Sequence, residues 1–459
     1  MEDKIRDLTK DSEARHLARL TGFMVMGLVT VMGANLIETI YVSLLGTDEL
    51  AALGFTFPLV MLLQSMTMGL GVGASSVVAR KIGADERVQA TYIISHSLLI
   101  TVMFVGIVSL LVSSTLSQIF DLLGAEKNIK SMALEFMEVW FYGLPFFAVA
   151  MGGTSLMRAA GDVATPGYLM AAGSFLQVLF GPALIFGFSE WDGFGLKGAA
   201  IAFIVARTTT FLFVIYFLNK NKFLVSSLDD FWLSTREVFH VGLPAIASNL
   251  IGPLSMTFIT RLVAGYGSAA VAGFSLASRI ETMLAMVVWA ISMSVGPFVG
   301  QNWGARKFER VWKAVSLANI YAVSWGALSY LVLFLTSPLV INTVTDELAV
   351  ADAALTYLLI VPIGMGLMGI SANASNSFNA LGKPVPPLVM SVVQMLVLTI
   401  PLAILGNFFL GFPGIFIGGV FAMLISATVI HIWLRRTLKL GKSNLEENSE
   451  VIESIEVKL

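Results

Sequence analysis

Long apolar stretches separated by short polar clusters occupy nearly the whole chain. Apolar runs bounded by charges or turn residues predict helices over 20–45, 50–78, 91–119, 133–156, 165–188 and 195–219. A second set is predicted over 239–265, 271–300, 311–337, 350–376, 385–409 and 412–434. Each run matches the roughly 20 residues a helix needs to cross a hydrocarbon layer about 30 Å thick. The pattern therefore predicts an all-α integral membrane protein with twelve transmembrane helices. Composition agrees: 56% of the 459 residues are hydrophobic and only 13% charged, against roughly 25% charged in soluble domains. The first apolar run, Leu20 to Leu45, follows Lys4, Arg6, Lys10, Arg15 and Arg19. It is longer than the core of about 7–15 residues of a cleaved signal peptide, so it reads as a retained first helix.

Charge placement gives an orientation. Lys and Arg collect in the connections on the side of the N-terminus, among them Arg80, Lys81, Arg87, Lys220, Lys222, Arg306, Lys307 and Arg310, whereas the opposite connections hold only Lys127, Lys130 and Lys197. The bias of basic residues towards the inner side predicts both termini in the cytoplasm, which an even number of crossings satisfies. Turn residues repeat at an offset of 221: Gly46 and Gly267, Gly83-Ala84 and Gly304-Ala305, Gly161 and Gly382, Pro166 and Pro387, Gly198 and Gly419. Gly and Pro at helix ends have a backbone role, so the coincidences indicate two related halves in parallel orientation. The expected division is a six-helix bundle over 1–222, a cytoplasmic linker over 223–238, a second bundle over 239–440 and a mobile acidic tail over 441–459.

Several function classes are excluded. A net charge of −2 argues against nucleic acid. With no cysteine and four scattered histidines (His16, His96, His240, His431) there is no disulfide framework, thiolate nucleophile or His-rich metal motif. An integral-membrane transferase or hydrolase would need clustered acids, and Asp162, Glu190 and Asp192 do not form such a set.

Certain segments resemble the multidrug and toxic compound extrusion (MATE) transporters. They are Glu38-Thr39 with Leu45-Gly46 and Leu50-Ala51-Ala52 around the first loop, and Arg158-Ala159-Ala160-Gly161-Asp162 to Pro166 after helix 4. Gly195-Leu196-Lys197-Gly198-Ala199-Ala200 enters helix 6, and Gly300-Gln301-Asn302-Trp303-Gly304-Ala305 follows helix 8. The resemblance covers about residues 15–440. It implies two six-helix lobes in a V around a central cleft, and export of cationic amphipathic drugs or dyes against an inward flow of protons or sodium ions. Beyond these and the surrounding lipid no partner is expected; the protein is expected to be a monomer in a prokaryotic inner membrane, without catalytic chemistry or cofactor. The rival readings are a flippase for lipid or lipid-linked saccharide and a sodium-coupled antiporter.

An ionisable group inside the bilayer costs at least about 2.5–3.5 kcal/mol, so each is a functional candidate. Glu38, seven residues before the outer end of helix 1, is the leading proton carrier, with Asn35 one turn away on its face and Thr39 beside it. The resembling proton-coupled branch has an aspartate in helix 1 where Asn35 is the other polar residue. Either Glu38 has taken over, or coupling is absent, or an aspartate has been replaced. Helix 5 reads Gln177-Val178-Leu179-Phe180-Gly181 where the family often shows Asn-x-x-x-Asp, so a second carboxylate is missing. Gln177 and Ser174 either line the cleft or bridge helices. Arg207, midway along helix 6, either pairs with the helix 1 acid or satisfies backbone carbonyls. The sodium-coupled branch carries an acid in helix 7. This chain has Asn249, Gly252, Pro253 and Ser255 there, and only Glu281 and Asp352 keep a sodium site open. Gly22, Gly27 and Gly33 allow helix 1 to bend, and Pro182 interrupts the ladder of helix 5. Met61, Met66, Met68, Phe175 and Phe180 are candidates for an adaptable cleft wall.

Overall fold

A computed structural model describes residues 7–188 and 191–456, with side chains as far as Ser443. Lys4, Arg6, Glu190 and the acidic side chains of the tail lie outside the described residues. Twelve helices are long and apolar enough to cross a membrane. In chain order they are α1 (Glu13–Ser43), α2 (Thr47–Gly83), α3 (Arg87–Leu122), α4 (Lys127–Ala159), α5 (Ala164–Phe186) and α6 (Leu196–Lys220), then α7 (Phe231–Ala264), α8 (Ser268–Gly304), α9 (Phe308–Val344), α10 (Leu348–Ala380), α11 (Val385–Leu410) and α12 (Phe412–Glu456). The protein is a multi-pass, all-α membrane protein.

Most helices exceed their apolar runs because the run marks the hydrocarbon thickness, whereas the helix continues where water satisfies charged side chains. Thus α1 begins at Glu13, and α2 carries Arg80 and Lys81 in its last turn. Two spans are irregular inside. α10 tightens to a 3-10 turn over Val361–Gly364, with Pro362 at its second position, and α11 widens to a π-helix over Val393–Thr399. The π stretch ends just before Pro401, whose ring lacks the N–H that the preceding turn needs and forces a change of hydrogen-bond register.

The chain groups into two compact units. The first holds Gly22–Ile82 and Glu86–Asn249; the second holds Asp7–Thr21, Gly83–Asp85 and the chain from Leu250. The first turns of α1 thus belong to the second unit, and α7 up to Asn249 belongs to the first. In the first unit Phe120, Met137, Trp140 and Leu144 form one buried cluster, and Leu70, Val77, Ile94 and Leu156 another. In the second, Phe274, Tyr357, Leu358 and Phe416 form the main cluster. Large apolar residues such as Leu110, Phe408 and Phe409 are left outside at 73–79% exposure, the surface expected of a protein whose solvent is lipid.

Small residues let the helices approach closely. At Gly198 a Cβ would stand 2.2 Å from the Leu184 carbonyl oxygen of α5. At Gly414 it would stand 1.9 Å from the Gly406 carbonyl oxygen. Backbones in contact at this range gain dispersion energy that side chains could not supply in lipid. The α5–α6 approach is the one that matters for function, because it sets the distance across which their polar side chains meet.

Candidate polar relay in the first unit

Three helices of the first unit bring one polar residue each to a common line. Glu38 comes from α1, Gln177 from α5 and Arg207 from α6. The Gln177 Nε2 donates to Glu38 Oε2 at 2.6 Å, and Arg207 Nη2 donates to Gln177 Oε1 at 3.0 Å. The amide suits this position because it offers a donor on one side and an acceptor on the other. Gln177 and Arg207 are 3% and 7% exposed. The guanidinium carbon lies 5.2 Å from the Phe203 ring centroid and 5.8 Å from that of Phe147. Phe203 is one turn before Arg207 on α6, so the helix itself places a ring face against the cation.

A small recess beside this row, with about 10 Å³ of space open to a water, is lined by Ala34, Glu38, Tyr41, Gln177, Val178, Gly181, Ile185, Ala199 and Ala202. That is about what a single water needs, whereas drug-sized ligands occupy pockets of roughly 300–1,000 Å³, so the recess suits a proton and a water rather than a drug. Gly181, one turn after Gln177, leaves room for Tyr41: a Cβ there would stand 3.2 Å from that ring. Tyr41, one turn after Glu38 on α1, also lines the recess. Its spacing from Glu38 is the sequence signal that would have found it.

The remaining expected residues separate into groups. Ser174 is 2% exposed, and its hydroxyl has no hydrogen-bond partner among the described residues. The same holds for Arg207 Nε. Asn35 and Thr39 are exposed, the Thr39 hydroxyl donating to the Asn35 carbonyl at 2.9 Å. Neither lines the recess. Arg207 reaches the α1 carboxyl through Gln177 rather than by direct pairing. Gly22 and Gly33 have no neighbour within 4 Å of a built Cβ, whereas at Gly27 it would meet Met170 Sδ at 3.0 Å. Pro182 lies inside α5, which continues to Phe186. Met61, Met68, Phe175 and Phe180 are exposed on the surface of the unit.

In the second unit Glu281 of α8 accepts a hydrogen bond from the Tyr357 hydroxyl of α10 at 2.5 Å. Asp352, one of the two acids that kept a sodium site open, is exposed and stands apart from this pair. No group of three or more His, Asp or Glu that could hold a metal occurs among the described residues. Asp162, considered above for an enzymatic set, instead accepts from the Thr165 backbone N–H at 3.1 Å.

The bridging role of Gln177 yields a prediction. Gln177→Leu leaves the buried guanidinium and the carboxyl without their shared partner, and a lost hydrogen bond to a charged group is worth about 1.5–3 kcal/mol. Unfolding of the purified variant in detergent is expected to show a loss of that size, with Gln177→Glu losing less because an acceptor for Arg207 remains. Equal stability of Gln177→Leu and the parent chain would mean that the bridge is incidental.

A family model, MatE, matches residues 24–183 and 244–405. A FAD transporter of Shewanella oneidensis is 31% identical over 399 residues, spanning 85% of this chain and 87% of its own. The multidrug export protein MepA of Staphylococcus saprophyticus is 24% identical over 436 residues, covering 92% and 94%. Among solved structures, the Vibrio cholerae MATE transporter VcmN, in an aspartate-to-asparagine mutant form, superposes with a TM-score of 0.89 at 29% identity, over 93% of this chain and 97% of that one.

Proposed function

Because the chain belongs to the MATE family of multidrug efflux transporters, and is a transporter rather than an enzyme, we propose that it exports organic cations in exchange for protons, with Glu38 as the proton carrier. The observation that carries this reading is the row Glu38–Gln177–Arg207. With Glu38 ionised, the row has one negative and one positive end and no net charge. When Glu38 takes a proton, the charge of Arg207 is left uncompensated. A nearby cation is then repelled, so proton entry and cation release become one event. Arg207 thus repels a cationic substrate only in the protonated half of the cycle. In this scheme Glu38 fills the role that Asn35 cannot, since an amide does not titrate near neutrality. The protein acts in the inner membrane of a prokaryote with both termini in the cytoplasm.

A second reading rests on the same cation. Arg207 would attract an anionic substrate when Glu38 is protonated, and a relative sharing 31% identity is a FAD transporter. The sign of the coupling separates the two. In proteoliposomes under an imposed pH step, the first reading expects ethidium to move from the alkaline side to the acidic side, with no gradient-dependent movement of FAD. Gradient-driven FAD movement with ethidium left at equilibrium would replace it by the second. Transport that follows a sodium step and ignores the pH step would overturn the proton assignment.

A further inference from the structure

The last turns of α12 carry a charge that the transport scheme does not use. Arg435, Arg436, Lys439 and Lys442 follow one another closely, and no acid occurs in the chain from Phe412 to Leu445. The rise from Phe412 to Arg435 is about 35 Å, which puts the first of these cations just past a hydrocarbon layer about 30 Å thick. The helical period sorts this segment into faces. Leu434 and Leu438 are buried, and at Gly441 a Cβ would stand 2.6 Å from the Trp303 ring of α8, so one face holds the helix end against its own unit. Arg435, Lys439 and Lys442, spaced four and three residues apart, form a second stripe. Ile432 and Trp433, exposed at 45% and 37%, lie one turn nearer the membrane. All these residues belong to the second unit.

The stripe runs beside the start of α9. The Arg435 guanidinium carbon lies 5.6 Å from the Trp312 ring centroid, within reach of a cation–π contact. Lys442 Nζ pairs with Glu309 at 3.1 Å. Lys313, next to Trp312, adds a further exposed cation. Among the described residues no carboxylate pairs with Arg435, Arg436 or Lys439, so the positive charge at this edge is far from neutralised by the single acid Glu309. The ring braces the guanidinium while Arg435 stays exposed, and its planar fork of donors matches two oxygens of one phosphate. Basic clusters of about four or more residues just beyond a membrane span are suited to anionic lipid headgroups. Here the cations would hold the phosphate while Ile432 and Trp433 lie along the acyl chain. A free phosphate would have no use for those apolar neighbours.

We propose that Arg435, Lys439 and Lys442 of α12, with Lys313 of α9, bind an anionic phospholipid of the leaflet on the side of these helix ends. The test titrates the full purified chain in detergent with dioctanoyl phosphatidylglycerol and dioctanoyl phosphatidylcholine, read by native mass spectrometry. Phosphatidylglycerol is expected to bind about tenfold more tightly than phosphatidylcholine, and Arg435→Gln/Lys439→Gln to bring that ratio below about twofold. Lys220→Gln/Lys222→Gln, a basic pair of the first unit, should leave the ratio unchanged. Should the first double variant fail to fold, Arg435→Lys serves in its place: it keeps the charge but loses the fork, and a ratio of about fourfold is expected. Equal affinity for the two lipids in the parent, or a parental ratio in both Arg435 variants, would overturn the proposal. So would an equal loss of preference in Lys220→Gln/Lys222→Gln, which would make the effect one of overall charge. Full displacement of the lipid by an equal concentration of inorganic phosphate would assign the cations to free phosphate instead. A preference found only in Glu446→Gln/Glu447→Gln/Glu450→Gln would show that the acidic end of the chain holds the stripe, and would overturn the proposal as well. None of these readings depends on Glu38.

Discussion

Glu38→Gln is expected to abolish uphill transport while leaving downhill movement of substrate measurable. When one proton exchanges for one monovalent cation no net charge crosses, so the attainable concentration ratio follows the pH step alone. Each unit of pH is worth about 1.4 kcal/mol, a factor of about ten. With a two-unit step the parent protein should hold ethidium near a ratio of about 100, and Glu38→Gln should leave it near unity. Glutamine keeps the shape and one acceptor of the side chain but cannot release a proton in this range. Glu38→Asp should retain coupling at a lower rate, because the shorter side chain draws the carboxyl away from Gln177. A Glu38→Gln protein that still built a gradient would place the carrier elsewhere, with Glu281 the first residue to examine.

The second large effect concerns Arg207. Arg207→Met removes the cation from a row that is otherwise retained, and losing the hydrogen bond of a buried charged group costs about 1.5–3 kcal/mol. A stability loss of about 3 kcal/mol is expected on unfolding in detergent, together with loss of coupled transport. The double variant Glu38→Gln/Arg207→Met should be less destabilised than Arg207→Met alone, because no charge is then left without its counterpart. Additive losses would show that Glu38 and Arg207 do not communicate through Gln177, since coupled residues depart from additivity by about 0.5–3 kcal/mol.

Gln177 illustrates how far residue types go without coordinates. Read against the family, it marks a missing carboxylate in helix 5. In the fold, the amide joins a carboxyl on one side to a guanidinium on the other, and the relay runs through a third helix, α6. A sequence shows the polar groups of one helix at a time. Their hydrogen bonds, however, are made between helices. Asn35 shows the converse: it shares a face with Glu38 by spacing, yet the recess is lined by Ala34, Glu38 and Tyr41, so the face that matters is turned by about a residue.

Hydropathy and charge by themselves determined that twelve helices cross the membrane, since crossing length and the cost of burying charge are properties of single segments. They also determined that Glu38, Gln177 and Arg207 sit at exceptional positions. Which residues face one another was decided only in the tertiary structure. Each helix can rotate about its axis without changing its hydrophobicity to lipid, and the choice is made by close packing of small residues and by the partners polar groups find. The same reason hid the hydrogen bonds that Asn302 and Arg310 make to the backbone of Leu8 and Lys10, nearly 300 residues away.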